Sequence, residues 1–169
     1  KIIECKTASL FMAAVKSGAI SAGAKKEDID SLAEYAYHLG VAFQMRDDIF
    51  DYSPKMDTGK LAGADIKERK ITLPLLCAMA KAPEREAQIR HLIEGIENTV
   101  TKGEEITSSD KEIIGKITEY VNENNGIADA QMILEGHIRK AIAAISHLPE
   151  SNAKKRLVQL AEFTGSRNS

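Results

Sequence analysis

The stretch GVAFQMRDDIFD, from Gly40 to Asp51, constrains the fold of this chain more than any other. Upstream of it, apolar and small residues recur at spacings of three and four, as on one face of a helix: Ile29, Leu32, Ala33, Ala36, Gly40 and Phe43. At about 100° per residue, Gln44, Asp47 and Asp51 continue that face. Asp48 lies at its edge. We therefore predict one inward-facing helix stripe that begins apolar and ends in carboxylates.

Carboxylates that point into a helix-packed interior need a compensating charge, because burial of an isolated carboxylate is costly. Mg²⁺ is the natural candidate, since it takes oxygen ligands, keeps several waters and commonly bridges one or two carboxylates to phosphates. The DDxxD pattern of Asp47, Asp48 and Asp51 therefore predicts a magnesium site. The alternative is that these aspartates mark the hydrated, exposed end of the helix.

Composition places the chain among ordinary globular proteins. It has 169 residues, enough for one domain with a sizeable core, and is 43% hydrophobic and 28% charged. The net charge of −2 argues against bulk nucleic-acid binding, and no apolar run has the length of a membrane-spanning helix. With no starting Met and no signal peptide, the sequence reads as a piece of a longer protein. We expect a cytoplasmic location.

The cysteines and histidines show no zinc-binding pattern. Cys5 and Cys77 stand in apolar helical settings and are predicted to be buried free thiols. Neither a C-x-x-C nor a His-x-x-x-His spacing occurs. The four histidines are scattered and are predicted to lie on the surface: His38, His91, His137 and His147.

A basic, glycine-containing loop follows the acidic cluster. Ser53-Pro54 is expected to stop the helix, and KMDTGKLAGAD then lacks any periodicity. Cations crowd this part of the chain: Lys55, Lys60, Lys67, Arg69 and Lys70. The Gly59-Lys60 pair is not a Walker loop, because the upstream glycine is absent and Leu61 follows the lysine. The lysines could simply pair with the carboxylates, or metal and ammonium groups could hold a diphosphate between them.

The rest of the chain reads as helices, with no strand pattern and no internal repeat, so the predicted fold class is all-α. Helices are expected over residues 2–17, ending near Gly18, then 28–52, 83–98, 109–124, 127–148 and 152–164. Another helix begins at Thr72, with Pro74 in its first turn and a core face of Leu75, Leu76, Met79 and Ala80. Ser109 to Glu112 reads as a capping box, and Ser151 as the cap of the last helix.

Taken together, these motifs resemble one family, the trans-isoprenyl diphosphate synthases or polyprenyl synthetases. GVAFQMRDDIFDY, followed by TGK, GADIKERK and ITLPLL, is similar to the family's second aspartate-rich region. KTASLF, from Lys6 to Phe11, resembles its upstream Lys-Thr motif. The match in order and spacing covers roughly residues 1–80, whereas residues 81–169 agree in helical character and length. The sequence as a whole resembles the bacterial polyprenyl diphosphate synthases.

The resemblance implies a helical bundle around a deep cavity and a specific reaction. Such enzymes join an allylic diphosphate to isopentenyl diphosphate, with Mg²⁺ held by two aspartate-rich motifs, and are usually homodimers. By this resemblance Asp47 is the principal Mg²⁺ ligand, and Asp48 and Asp51 support it directly or through water. The allylic diphosphate would contact Lys6, Lys60, which is also assigned a catalytic role, and Lys70. Thr7 and Gln44 would line its pocket.

One departure from the family pattern limits these expectations. A first DDxxD followed by paired arginines is absent, and Glu104-Glu105 lacks the required context. All 169 residues are therefore expected to form the C-terminal part of a single polyprenyl synthetase domain, inactive alone. The alternative functions are a non-catalytic helical subunit of a heteromeric synthase, which need not keep DDxxD, and a terpene cyclase, whose second metal motif would be of the Asn/Ser/Glu kind.

Overall fold

The computed structural model describes residues 7–52, 63–96 and 107–166. Throughout these ranges the regular structure is helical, without a strand, as the sequence predicts. The α-helices are α1 (Ser9–Ser21), α2 (Lys26–Phe50), α3 (Ala64–Lys67), α4 (Leu73–Lys81), α5 (Glu86–Glu94), α6 (Ser108–Glu123), α7 (Gly126–Ala144) and α8 (Asn152–Gly165), with a 3₁₀ turn at Pro83–Arg85 before α5. None of these helices combines the length and apolar character needed to cross a bilayer.

The chain divides into two compact units. The first unit combines the residues up to Arg46 with those from Met132 onward, and the second runs from Asp47 to Gln131. Helices α2 and α7 each contribute to both units. The assignment of the whole chain to part of one domain stays a prediction.

In the first unit, α1, α2, α7 and α8 supply the packed segments. The buried phenol of Tyr35 on α2 donates a 2.8 Å hydrogen bond to the carbonyl of Leu157 on α8. Burial raises the pKa of Tyr35 to about 12, so the phenol stays neutral and remains a donor. At the start of the unit, Ala8 is fully buried against Gly40 of α2.

The second unit has an apolar core drawn from the four helices α3 to α6 and the segments beside them. Its fully buried side chains include Ile66, Leu75, Ile89, Ile117 and Val121. The core face of α4 differs from the prediction, because Leu75, Ala78 and Met79 are buried whereas Leu76 and Ala80 are exposed. Cys77 on the same helix is a half-buried free thiol rather than a fully buried one.

The helix ends are set by residues with positive φ and by capping hydrogen bonds, and the end of α1 differs from the prediction. Helix α1 continues through Gly18 and ends in a Schellman motif, in which Gly23 has φ +69° and the amide of Ala24 donates to the carbonyl of Ala19. Asn125, with φ +55°, separates α6 from α7 as predicted. Ser151 caps α8 by accepting from the amide of Lys154 at 3.1 Å, again as predicted.

Two capping predictions need correction. The cap of α6 is Thr107, whose hydroxyl accepts from the amide of Asp110 at 3.1 Å, and Ser109 lies inside the helix. Thr72 occupies the cap position of α4, but its hydroxyl makes no capping bond and instead donates to the phenol oxygen of Tyr52 at 3.2 Å. The histidine prediction is also wrong in part: His91 and His147 are exposed, but His38 and His137 are half-buried neighbours.

Candidate functional site

The three aspartates of the DDxxD motif lie where α2 ends. Asp47 and Asp48 stand in its last turn, and Asp51 stands in the turn that follows. Asp47 is exposed, whereas Asp48 and Asp51 are half-buried. The predicted inward stripe is therefore wrong at Asp47, and also at Phe43, which is 48% exposed. Asp48, at the edge of the predicted face, is half-buried, and its pKa is raised.

Asp48 reaches the beginning of α4. Its Oδ2 accepts a 3.3 Å hydrogen bond from the backbone amide of Leu73, the first residue of that helix. Burial raises the pKa of Asp48 to about 6, and the charges of Asp65 and Asp47 act in the same direction. The Leu73 amide and Lys70 oppose that rise. The carboxylate thus takes the capping role that Thr72 leaves vacant.

Asp51 accepts backbone hydrogen bonds at the beginning of α3, as Asp48 does at the beginning of α4. Its Oδ2 accepts from the amide of Asp65 at 3.0 Å, and its carbonyl accepts from the amide of Gly63 at 2.9 Å. Burial raises the pKa of Asp51 and the charge of Asp65 adds to this, while the backbone amides of Asp65, Ala64 and Ile66 oppose it. Two of the three motif aspartates therefore hold the backbone of the helices that follow them, and they also supply negative charge.

The turn before α3 depends on glycine at position 63. Gly63 has φ +82°, in the left-handed region. A Cβ built on it would lie 2.5 Å from Cγ2 of Ile114 on α6. No other residue can both take this conformation without strain and let α6 approach so closely, so Gly63 fixes the position of Asp65 beside the motif.

Asp65 is a functional candidate that our sequence analysis did not select. Its charge acts on both Asp48 and Asp51, which makes it the fourth carboxylate of the cluster. The signal was present in GADIKERK, where an acidic residue follows a glycine directly after the basic loop. What placed it near the motif is the return of the chain through Gly63, which residue spacing alone does not show.

Lys70 is a cationic residue beside this carboxylate cluster. Its Nζ lies 2.8 Å from Oδ1 of Asp65 and 2.6 Å from Oε2 of Glu68. Both carboxylates raise the pKa of Lys70, so the side chain stays an ammonium. Since 49% of the side chain is exposed, these ion pairs are weak and a diphosphate could replace them at a cost of about 1 kcal/mol or less. The sequence-based alternative, in which lysines pair with nearby carboxylates, holds for Lys70 in this structure.

Hydrogen bonds of neighbouring residues hold the segment between α3 and α4 in place. Tyr52 is buried, and burial raises the pKa of its phenol well above the ordinary value. It therefore accepts from Thr72 as a neutral group. Arg69 turns the chain with φ +56° and donates from its guanidinium to the carbonyl of Ile96, with Nε at 3.1 Å. Lys70 follows directly from this anchored turn.

The remaining predicted site residues are placed only in part. Lys6 and Lys60 lie outside the described residues. Thr7 and Gln44 are half-buried members of the first unit. Ala8 packs against Gly40, one helical turn before Gln44, so the segment carrying Thr7 lies along that part of α2. The site roles of all these residues stay predictions.

The donor set of the cluster suits a hard divalent cation. Within residues 7–52, 63–96 and 107–166, no group of three or more His, Cys, Asp or Glu side chains could hold a metal ion by itself. Mg²⁺ commonly takes only one or two protein carboxylates and completes its shell with phosphate and water. Burial and the negative charge of Asp65 both raise the pKa of Asp48 and of Asp51, so these carboxylates are partly desolvated and repelled by a neighbour. A cation beside them would relieve both costs.

Comparison with known proteins extends the resemblance over nearly the whole chain. The family model for polyprenyl synthetase matches residues 1–109. The octaprenyl diphosphate synthase of Haemophilus influenzae is 34% identical over 169 residues, which is 99% of this chain and 48% of the relative. The short chain isoprenyl diphosphate synthase of Methanothermobacter thermautotrophicus is 31% identical over 164 residues, 96% of this chain and 47% of the relative.

A solved structure gives the same result for the fold. The polyprenyl synthase from Caulobacter crescentus, complexed with calcium and isoprenyl diphosphate, superposes with a TM-score of 0.81 at 34% identity. The alignment covers 99% of this chain and 48% of that chain. The chain thus spans about half the length of the relatives it matches. On its sequence, its helical architecture and this match, the chain belongs to the polyprenyl synthetase family.

Proposed function

We propose that this chain is part of a Mg²⁺-dependent trans-prenyltransferase, which condenses an allylic diphosphate with isopentenyl diphosphate and releases pyrophosphate. The observation that carries the proposal is the carboxylate cluster of Asp47, Asp48, Asp51 and Asp65, with Lys70 beside it, in a chain of this family. The Caulobacter relative, whose structure contains a divalent cation and an isoprenyl diphosphate, supports this choice of ligands.

In the proposed reaction the carbon–oxygen bond of the allylic diphosphate breaks, and pyrophosphate leaves with the bonding electron pair. The double bond of isopentenyl diphosphate attacks the resulting allylic cation, and a proton is lost, which the released pyrophosphate can accept. Negative charge develops on the leaving group, so catalysis requires positive charge placed there in advance. Bound Mg²⁺ would supply part of that charge as a Lewis acid.

The residues of this chain have separate roles in the proposal. By the family resemblance, the exposed Asp47 would be the principal metal ligand, and its neighbours Asp48 and Asp51 also accept backbone hydrogen bonds. Those two carboxylates support the metal directly or through water. Lys70 moves from Asp65 and Glu68 to the diphosphate, a change that its weak surface pairing permits. Lys6 and Lys60 add ammonium charge, and Thr7 and Gln44 line the pocket.

Since the chain spans about half of its relatives, we propose that residues 1–169 alone are inactive and that the complete enzyme is a cytoplasmic homodimer. The missing charge is that of a first aspartate-rich motif, for which the 169 residues contain no second DDxxD. The alternative of a non-catalytic subunit predicts that the aspartates can be replaced without loss of the partner's activity.

The test is an assay of labelled isopentenyl diphosphate incorporation with Mg²⁺ and an allylic diphosphate. It compares residues 1–169 with the protein encoded by the whole reading frame that contains them. We expect activity only in the latter, and Asp47→Asn should lower kcat/KM about 100-fold or more, because it removes charge that stabilises the transition state. Asp30→Asn, at an exposed position on the same helix, is the matched control.

The outcomes separate the site assignment from the function. Undiminished turnover by Asp47→Asn in an active enzyme would refute the metal role of Asp47 and leave the reaction standing. An inactive whole protein that nevertheless activates a partner synthase, with or without Asp47, would refute the enzyme proposal in favour of the subunit. Activity of residues 1–169 alone would contradict the expected dependence on a second motif.

A further inference from the structure

Two histidines that are far apart in the sequence meet in the first unit. His38 on α2 and His137 on α7 place their Nδ1 atoms 3.0 Å apart. The ring centroids are 5.0 Å apart, and the rings are inclined by 64°. Both side chains are half-buried, so their positions are set by helix packing rather than by solvent. The pair plays no part in the carboxylate cluster described above, which belongs to the other unit.

The orientation of the pair restricts its protonation. Because the two Nδ1 atoms face each other, only one of them can carry a proton toward the other. When both protons reside on Nε2, each Nδ1 carries a lone pair that can bind an ion. Burial lowers the pKa of both histidines, and the charge of Lys140 acts on both in the same direction. Neutral imidazole, the form that binds metal ions, is therefore the resting form near pH 7.

The separation of the nitrogen atoms also fits a metal. With metal–nitrogen bonds of about 2.0–2.1 Å, two atoms 3.0 Å apart subtend an angle of about 95° at the ion. That angle is close to the 90° between adjacent positions of a square-planar or octahedral ion and smaller than the tetrahedral angle. Imidazole ligands in such a geometry favour Ni²⁺ or Cu²⁺ over Mg²⁺, which prefers oxygen.

The charges around the pair are mixed. Glu34 lies one helical turn before His38, and its negative charge acts on that imidazole. Lys140 lies three residues after His137 and opposes a bound cation. Tyr37 packs its ring against His38 at a centroid distance of 5.1 Å. In the part of the chain that the structure describes, no third His, Cys, Asp or Glu completes a preformed metal-binding group, so water would fill the other positions.

We propose that His38 and His137 form a two-histidine site for a divalent transition metal of the nickel and copper class. The site bridges α2 and α7 and stabilises the first unit when it is filled, since the ion binds the folded pair and not the separated histidines of the unfolded chain. It is separate from the proposed Mg²⁺ site and does not depend on the proposed function.

The test is calorimetric titration of the metal-free chain with Ni²⁺ at pH 7.5, with the melting temperature measured alongside. We expect one saturable equivalent and a rise in melting temperature for the unaltered chain. His38→Gln and His137→Gln should each weaken binding at least about tenfold, because each leaves a single imidazole. His91→Gln, at an exposed histidine on α5, is the matched control and should bind as the unaltered chain does.

Two further variants keep both imidazoles and test the position of the ion. Glu34→Gln should weaken Ni²⁺ binding and Lys140→Gln should tighten it, because the two charges act on a nearby cation with opposite sign. Circular dichroism of each variant establishes that the helices are retained. Saturable binding that survives in both His38→Gln and His137→Gln would overturn the proposal, as would absence of binding or unchanged affinity in both charge variants.

Discussion

Asp48 combines an anchoring hydrogen bond with an unfavourable charge. Its carboxylate caps α4 through Leu73, yet burial and the neighbouring carboxylates raise its pKa from the ordinary 3.8 to about 6. Between these two values the folded chain binds more protons than the unfolded chain. The free energy of unfolding therefore falls as pH rises from about 4 to about 6. By pH 7 the loss is on the order of 1 kcal/mol when no cation is bound, because solvent screens this partly buried carboxylate.

The first prediction concerns Asp48→Asn. The amide oxygen can still accept from Leu73, but the charge is gone, so the variant should be about 1 kcal/mol more stable than the unaltered chain at pH 7.5. The difference should shrink to nearly zero by about pH 3, below both pKa values, where the carboxyl is protonated in both states. Urea denaturation in EDTA at several pH values measures this, with Asp30→Asn as the control. A gain in stability that stays constant with pH would contradict the raised pKa of Asp48.

At this scale the sequence predicts which residue types gather but not their contacts. The DDxxD spacing correctly places the carboxylates at the end of α2, because helical periodicity is a local property. Their partners, Asp65 and Leu73, lie 14 and 25 residues beyond the aspartates that they contact, after a loop without periodicity. His38 and His137 are 99 residues apart, so their pairing arises entirely from the packing of α2 against α7.

At the scale of the helix, the sequence-based boundaries fail where two local signals compete. Gly18 resembles a stop, but a glycine inside a helix costs only about 1 kcal/mol, and Gly23 offers the left-handed position that a Schellman ending requires. The start of α6 is ambiguous in the same way, since Thr107 and Ser109 each precede an acidic residue by three positions. The buried position of Asp110 favours Thr107 as the cap.

The second prediction tests the packing of α2. A Cβ at Gly40 would lie 2.7 Å from Cα of Ala8, which is backbone and must move. Gly40→Ala should therefore lower the free energy of unfolding by about 1–3 kcal/mol despite the higher helix propensity of alanine. Gly136→Ala on α7 is the control, because its added Cβ meets only the end of the Arg139 side chain at 3.9 Å.

The control should gain up to about 1 kcal/mol from helix propensity alone. Chemical denaturation of the two variants side by side gives the comparison. If Gly40→Ala were as stable as Gly136→Ala, the close approach of Ala8 to α2 would not exist in solution. The contact matters for the proposed site because Thr7 precedes Ala8 and Gln44 follows Gly40 by one turn.

At the scale of the whole molecule, the all-α class follows from periodicity, whereas the division into two units does not. The two units also differ in their exposed apolar side chains. Of the large apolar residues described as exposed, only Leu76 belongs to the second unit. The others belong to the first: Leu10, Ile20, Phe43, Met132, Ile133, Leu160 and Phe163. A unit with this many exposed apolar side chains is expected to find a partner surface in solution.

The third prediction follows from that surface. Residues 1–169 alone should self-associate through the first unit, and Met132→Glu should weaken the association at least about tenfold. Met132 is 67% exposed, and covering a large apolar side chain contributes about 1.5–3 kcal/mol, which a buried glutamate would forfeit. Leu76→Glu, at a position 49% exposed in the second unit, is the matched control.

Sedimentation velocity over a range of concentrations distinguishes the possibilities. The unaltered chain and Leu76→Glu should sediment faster as concentration rises, while Met132→Glu should remain largely monomeric under the same conditions. A stable specific dimer needs about 800 Å² of covered surface on each partner, and a few residues carry most of its binding energy, so a single substitution within that surface can shift the equilibrium. If the unaltered chain stayed monomeric at every concentration, its exposed apolar residues would be ordinary surface, and the first unit would not need a partner.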